Sequence, residues 1–166
     1  MKVNITYEKI YDTDYEKLTK LMTVAFNEDT AMHTDLAEDG PKGYNDGSLV
    51  KKLNENDKYE NYKIMYNGII VGAYTVAITD DNVGSLEMLY IAPDYRRLHL
   101  GTVVWEDIES RHSSVKKWTV ETPDYSIRNH HFYIDKCGFS FVRENIYAED
   151  CKSHVFEKKI FQKNAI

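Results

Sequence analysis

The chain has 166 residues, 42% of them hydrophobic, which suits one globular domain with a buried core. A formal net charge of −6 argues against a nucleic-acid binder, which needs a basic face, and is compatible with a cationic substrate. No apolar run reaches the length of a membrane span, and two cysteines, Cys137 and Cys151, are too few for a disulfide scaffold, so the expectation is a soluble cytoplasmic protein with reduced thiols.

Val3, Ile5 and Tyr7 alternate as in a strand. "TDYE" at 13–16 has the spacing of a capping box, with Thr13 capping and Glu16 reaching back. Tyr15, Leu18, Leu21, Met22, Ala25 and Phe26 then mark one helical face. Residues 27–47 are polar and hold three glycines and a proline, a pattern that predicts a long irregular stretch. "SLVKKL" at 48–53 predicts a short helix capped by Ser48. "NYKIMYNGIIVGAYTVAI" predicts a hairpin closed by Asn67-Gly68, the pair favoured in a tight type I′ turn. "SLEMLYIA" at 85–92 predicts the third strand of that meander.

"PDYRRLHLG" at 93–101 follows as a short turn. A helix comes next, with Val104, Trp105, Ile108 and His112 at helical spacing. "KWTVE" at 117–121 is a strand stopped by Thr122-Pro123. Ser126 opens a helix running to about Lys136, and Gly138 stands where a left-handed glycine cap is expected. "FSFVRENIY" and "SHVFEKKIF" predict two last strands. The order predicts an α/β (α+β) fold, a mixed and mostly antiparallel central sheet flanked by helices, in a single domain over 1–166.

The turn between the strand at 85–92 and its helix holds Arg96 and Arg97. A helix N-terminus carries unpaired N–H groups and the positive end of the dipole, so a strand–turn–helix unit favours an anion such as a phosphate. The competing reading is a solvated turn with two surface arginines.

Two motifs decide between them. Arg96-Arg97-Leu98-His99-Leu100-Gly101, preceded by "LYIAPDYR", resembles the signature of the GNAT superfamily of N-acetyltransferases: Arg or Gln, two residues, Gly, one residue, Gly or Ala. "RNHHFYIDKCGF" at 128–139 is similar to that family's Asn…Phe-Tyr…Lys-x-Gly-Phe helix. The likeness covers essentially the whole chain and is strongest from Ser85 to Phe141. It implies acetyl-CoA as cosubstrate, no metal, and a primary amine of a small molecule or peptide as acceptor, entering from the side of residues 27–47. It also implies a V-shaped opening between the strands at 85–92 and 117–121. There the backbone of Leu89, Tyr90 and Ile91 pairs with the pantetheine arm. The turn at Arg96, with the amides of Arg97, Leu98, His99, Leu100, Gly101 and Thr102, holds the pyrophosphate, and Asn129 bonds the pantetheine. The family often dimerises, and the last strands offer a pairing edge for a homodimer.

The chain departs from the family twice. His99 stands where a glycine is usual, and this is read as a neutral change, a weakened site or an added phosphate contact. The family tyrosine usually lies four residues before the glycine of the Gly-Phe pair; Ile134 holds that place and Tyr133 is one earlier. An extra residue in the helix, such as a π-bulge, returns Tyr133 to the cleft; without it Tyr133 is core.

Amine acetylation needs a proton acceptor for the amine and a donor for the leaving thiolate. Glu87, on the strand that holds the cosubstrate, is the first candidate base, acting through water, and Glu121 is the second. Tyr133 is the candidate acid. Adjacent His130 and His131 diverge on a helix, and Cys151-Lys152-Ser153-His154 lacks a four-ligand set, so no metal is expected. Two other classes compete with the enzyme: a catalytically inactive acyl-CoA-binding module, favoured by His99 and the shifted Tyr133, and a protein-interaction domain that uses the fold alone.

Overall fold

The computed structural model describes residues 4–161. Val3, expected in the first strand, lies outside the described residues. In chain order come β1 (Ile5–Lys9), α1 (Tyr15–His33), α2 (Ser48–Glu55), β2 (Tyr59–Tyr66), β3 (Ile69–Ile78), β4 (Val83–Ile91), α3 (Leu100–Arg111), β5 (Lys117–Pro123), α4 (Ile127–His131), β6 (Ser140–Ala148) and β7 (Cys151–Lys159). The strands form one seven-stranded mixed sheet in the order β1-β2-β3-β4-β5-β7-β6. β1 and β2 pair antiparallel, as do β5 with β7 and β6 with β7, whereas β4 and β5 pair parallel.

The chain divides into two compact units. The first comprises residues up to Val76 with Glu87–Gly101, and the second comprises Ala77–Leu86 with Thr102 onward. In the first, Leu18, Met22 and Ala25 of α1 pack with Ile10, Tyr44, Val50, Ala73 and Tyr90, and Tyr15, Leu21 and Phe26 lie against that cluster. The helical face read from the sequence is therefore the buried one. The hairpin between β2 and β3 turns on Asn67 (φ 50°) and Gly68 (φ 81°), both left-handed as a type I′ turn requires.

In the second unit, Trp105 of α3 and Trp118 of β5 are fully buried and meet edge to face, with centroids 5.3 Å apart. Truncating a large aromatic side chain buried in this way to alanine costs about 3–5 kcal/mol. Gly84 makes room for this pair: a Cβ there would stand 2.5 Å from the Trp118 ring. Cys137 is buried and Cys151 exposed, and both are free thiols. Among the described residues no helix is long and apolar enough to cross a membrane.

Four local expectations are corrected. Thr13 does not cap α1. Asp12–Asp14 forms a 3-10 turn, and the Asp14 carboxylate takes the Tyr11 N–H (2.9 Å) and the Lys63 ammonium (2.9 Å), an arrangement a neutral hydroxyl cannot match. Second, α1 runs on to His33, so only 34–47 is irregular. No glycine or proline interrupts the chain before Gly40, and the Thr30 and Thr34 hydroxyls tie the helix end to the Asp39 and Thr30 carbonyls, at 2.9 and 2.8 Å. Third, Ser48 is the first residue of α2 and does not cap it. Gly47 precedes it at φ 88°, and Asp46 accepts both the Ser48 N–H (2.9 Å) and its hydroxyl (2.6 Å). Fourth, β5 continues through Pro123, which occupies its last position opposite Ser153. At a strand's end a missing N–H costs little.

Candidate acyl-CoA site

The turn that carries the arginines is a 3-10 helix, Pro93–Leu98, with proline at its first position, where a missing N–H is harmless. The Tyr95 N–H bonds the Ala92 carbonyl (3.0 Å), and the Tyr95 ring packs edge-on to Tyr66 at 5.9 Å. The half-buried Arg96 guanidinium is paired with the carboxylate of Glu28 on α1. Arg97, Leu98 and His99 are exposed. His99 has φ 55° and ψ 29°, the left-handed region, and its N–H reaches the Arg96 carbonyl at 3.3 Å. The place where the family usually has glycine thus does demand a left-handed backbone. A histidine there costs about 1–2 kcal/mol relative to a right-handed residue. This reversal aims the chain into α3, whose first three residues are Leu100, Gly101 and Thr102. Leu100 is buried and anchors the helix start, so the N-terminal amides open beside an exposed cationic stretch.

β4 contributes Leu89, Tyr90 and Ile91. The Tyr90 side chain is buried in the core of the first unit. The paired stretch of β4 and β5 runs from Val83↔Lys117 to Leu86↔Val120, five residues short of Ile91. Glu87 is the first residue past that ladder, and its side chain is exposed.

Asn129 and Tyr133 belong to the second unit. After α4 the helix widens over Phe132–Lys136 into a π-helical turn, in which the Cys137 N–H bonds the Phe132 carbonyl (3.1 Å), five residues back. Gly138 then reverses the chain at φ 83° as expected, and the Phe139 N–H bonds the Tyr133 carbonyl (2.9 Å). The extra residue of the wide turn settles the register: Tyr133 is 6% exposed and Ile134 43%. The Tyr133 ring lies 5.1 Å from Phe132 and 5.7 Å from Phe139. Burial pushes its phenol well above the ordinary tyrosine range, aided by the neighbouring Cys137. It stays protonated at neutral pH, the state a proton donor needs. Asn129 is half-buried, four residues earlier.

Glu121, the second candidate base, is tied into the sheet. Its Oε1 accepts from the Tyr147 and Ser153 hydroxyls and from the Asn145 amide (3.1 Å). Burial raises its pKa, but these three bonds and the charge of Arg143 outweigh that and lower it overall. A carboxylate with one oxygen so engaged and its pKa lowered is a weak base. Among the described residues no group of three or more His, Cys, Asp or Glu is placed to hold a metal ion.

The sequence model of the acetyltransferase (GNAT) family matches residues 26–139. This chain belongs to the GNAT acetyltransferase family. Solved structures show the same fold. An acetyltransferase from Thermus thermophilus superposes with a TM-score of 0.75 at 13% identity, over 96% of this chain and 100% of that one. The PaiA N-acetyltransferase of Thermoplasma acidophilum in complex with coenzyme A gives 0.73 at 17% identity, over 95% and 99%. A Bacillus subtilis acetyltransferase in complex with CoA gives 0.69 at 14% identity, over 96% and 100%. In sequence, the uncharacterized protein YrkN of Bacillus subtilis (strain 168) is 35% identical over 82 residues, which is 49% of this chain and 44% of that protein. The match thus spans less than half the length of this curated relative.

Sequence reasoning passed over two residues near the turn and strand. Glu28, the partner of Arg96, gave no local signal. Gly72 did, as an isolated glycine inside a strand pattern, the mark of a close backbone approach.

Proposed function

We propose that this GNAT chain is an acetyl-CoA-dependent N-acetyltransferase that moves an acetyl group to a primary amine by direct attack, in a single domain over residues 1–166. The observation that carries the reading is the left-handed reversal at His99, which opens α3 directly after β4. It stands at the signature of a family in which relatives of the same fold are known with CoA. The turn at Arg96 and the amides of Arg97, Leu98, His99, Leu100, Gly101 and Thr102 hold the pyrophosphate. The β4 backbone at Leu89, Tyr90 and Ile91 holds the pantetheine arm, with Asn129 as a further partner. Arg96 fixes the turn in place, because its side chain is engaged with Glu28.

In the reaction the neutral amine attacks the thioester carbonyl carbon, and a C–N bond forms. The tetrahedral oxyanion collapses and the C–S bond breaks. The proton lost from nitrogen passes through water to the Glu87 carboxylate, whose exposure suits a water relay. The Tyr133 phenol gives its proton to the leaving thiolate. The net negative charge favours a cationic small molecule or peptide amine, entering from the side of residues 27–47. The protein works in the cytoplasm, and β6, at the end of the sheet, offers the edge for a homodimer.

Calorimetry with acetyl-CoA tests the reading, comparing wild type with the double variant Arg97→Glu, Gly101→Trp. Micromolar binding that the variant loses, followed by CoA release with a member of an amine panel, is the expected result. No binding at millimolar acetyl-CoA overturns it. Binding without CoA release for any amine replaces it with the inactive acyl-CoA-binding module.

A further inference from the structure

β3 and β4 are neighbours in the sheet, and at Gly72 they come closer than two side-chain-bearing strands can. A Cβ built on Gly72 would lie 1.9 Å from the Tyr90 carbonyl oxygen, 2.9 Å from the Tyr90 carbonyl carbon and 3.0 Å from the Ile91 Cα. All three atoms are backbone, which cannot swing aside as a flexible side chain does. The Tyr90–Ile91 peptide therefore rests on the bare Cα of Gly72, with its carbonyl turned toward β3.

The direction of that carbonyl fixes its neighbours. In a planar trans peptide the C=O and N–H point opposite ways, so the Ile91 N–H is directed away from β3. One peptide further on, the Ala92 N–H bonds the Val71 carbonyl at 2.8 Å and so points toward β3. By the same rule the Ile91 carbonyl points away from β3. Ile91 thus presents a donor and an acceptor together, on the edge of β4 whose ladder with β5 ended at Leu86↔Val120.

We infer that Gly72 is a positioning residue for the transfer: its missing side chain holds the Tyr90–Ile91 peptide so that Ile91 offers N–H and C=O together to the amide-bearing pantetheine arm. This rests on the acetyl-CoA reading above. An added methyl at position 72 must displace that peptide. It leaves untouched the turn at Arg97–Thr102, where the phosphates are held.

Two ligands separate those effects: CoA, which has both parts, and ADP, which has the nucleotide and pyrophosphate without the pantetheine. Calorimetry is done with wild type and Gly72→Ala. The expected result is a loss of about tenfold or more in CoA affinity with ADP affinity unchanged. Equal weakening for both ligands would mean a general loosening and overturns the inference, as does unchanged CoA affinity. Should Gly72→Ala fail to fold, amide NMR of the wild type decides. The Ile91 amide is expected to shift on adding pantetheine, and an Ile91 amide that does not move overturns the inference. A wild type that binds no CoA at all overturns the proposed function and this inference with it, whereas wild-type CoA binding that Gly72→Ala retains in full overturns this inference alone.

Discussion

The guanidinium of Arg96 is held by the carboxylate of Glu28, across 68 positions of sequence, while Arg97 beside it is exposed. Adjacent arginines in one turn therefore have different work. Arg96 ties the turn to α1, and Arg97 is the one that meets the anion in the proposed function. Glu28→Gln is expected to lower stability by about 0.5–1 kcal/mol, the scale of a partly solvated ion pair, and to leave acetyl-CoA affinity within a factor of about two. Arg97→Glu is expected to do the reverse. Urea unfolding and calorimetry on both variants check the division; a Glu28→Gln protein that keeps its stability and loses the ligand would refute it.

At His99 the backbone is left-handed, and the side chain is exposed. Glycine accepts that conformation without strain but raises the entropy of the unfolded chain. The net expectation for His99→Gly is a gain of about 0.5–1 kcal/mol. His99→Val, with a β-branched side chain at positive φ, is expected to lose stability and acetyl-CoA affinity together. Thermal unfolding of the three proteins orders them; a His99→Gly protein less stable than wild type would show that the imidazole makes a contact worth more than the strain.

For Tyr133, removal of the hydroxyl in Tyr133→Phe keeps the packing and deletes the proton. The expected change is a fall in kcat of about tenfold to a thousandfold with KM for acetyl-CoA nearly constant. Burial raises the phenol above its ordinary value of 10.0, so the folded protein keeps the proton where the unfolded chain has lost it. The stability contributed by this group is therefore complete below pH 10.0 and declines as pH rises beyond it. A pH–rate profile that loses activity on a limb well below that value, and keeps the same limb in Tyr133→Phe, would assign the limb to another group.

Glu121 runs the other way. Burial opposes its charge, but the Ser153, Tyr147 and Asn145 bonds win and its pKa is lowered below the ordinary 4.5. A depressed carboxylate contributes stability that is present above the unfolded value and is lost as pH falls through the folded one. Glu121→Gln is expected to flatten the loss of stability that wild type should undergo below pH 4.5 and to leave kcat within a few-fold. A collapse of kcat in Glu121→Gln with stability intact would restore it as the base.

Much of the frame was legible because its causes are local. Asn67-Gly68 announced the hairpin because two successive positive φ angles are affordable to few residue pairs. Leu18, Met22 and Ala25 announced the buried face of α1 through their spacing. The last turns of that helix were illegible because Asn27–His33 bury little apolar surface, and hydroxyl bonds to Asp39 and Thr30 carry its end. The wide turn at Phe132–Lys136 showed in the sequence only as a misfit, Tyr133 lying one residue too far from Gly138. The pairing of Arg96 with Glu28 joins segments that meet only once the chain has folded, and no local pattern encodes it, whereas the seat of Tyr90 on Gly72 showed only as an isolated glycine inside a strand.

That wide turn also bears on chain length. A π-helical turn stores one residue more than the α-helix needs, and here the surplus faces solvent at Ile134 while Tyr133 and Phe139 stay buried on either side. The segment from Asn129 to Gly138 therefore absorbs an insertion without passing the displacement on to β6. Closing the turn to ordinary α geometry would shorten this spacing by one residue and leave the ring's inward place unchanged.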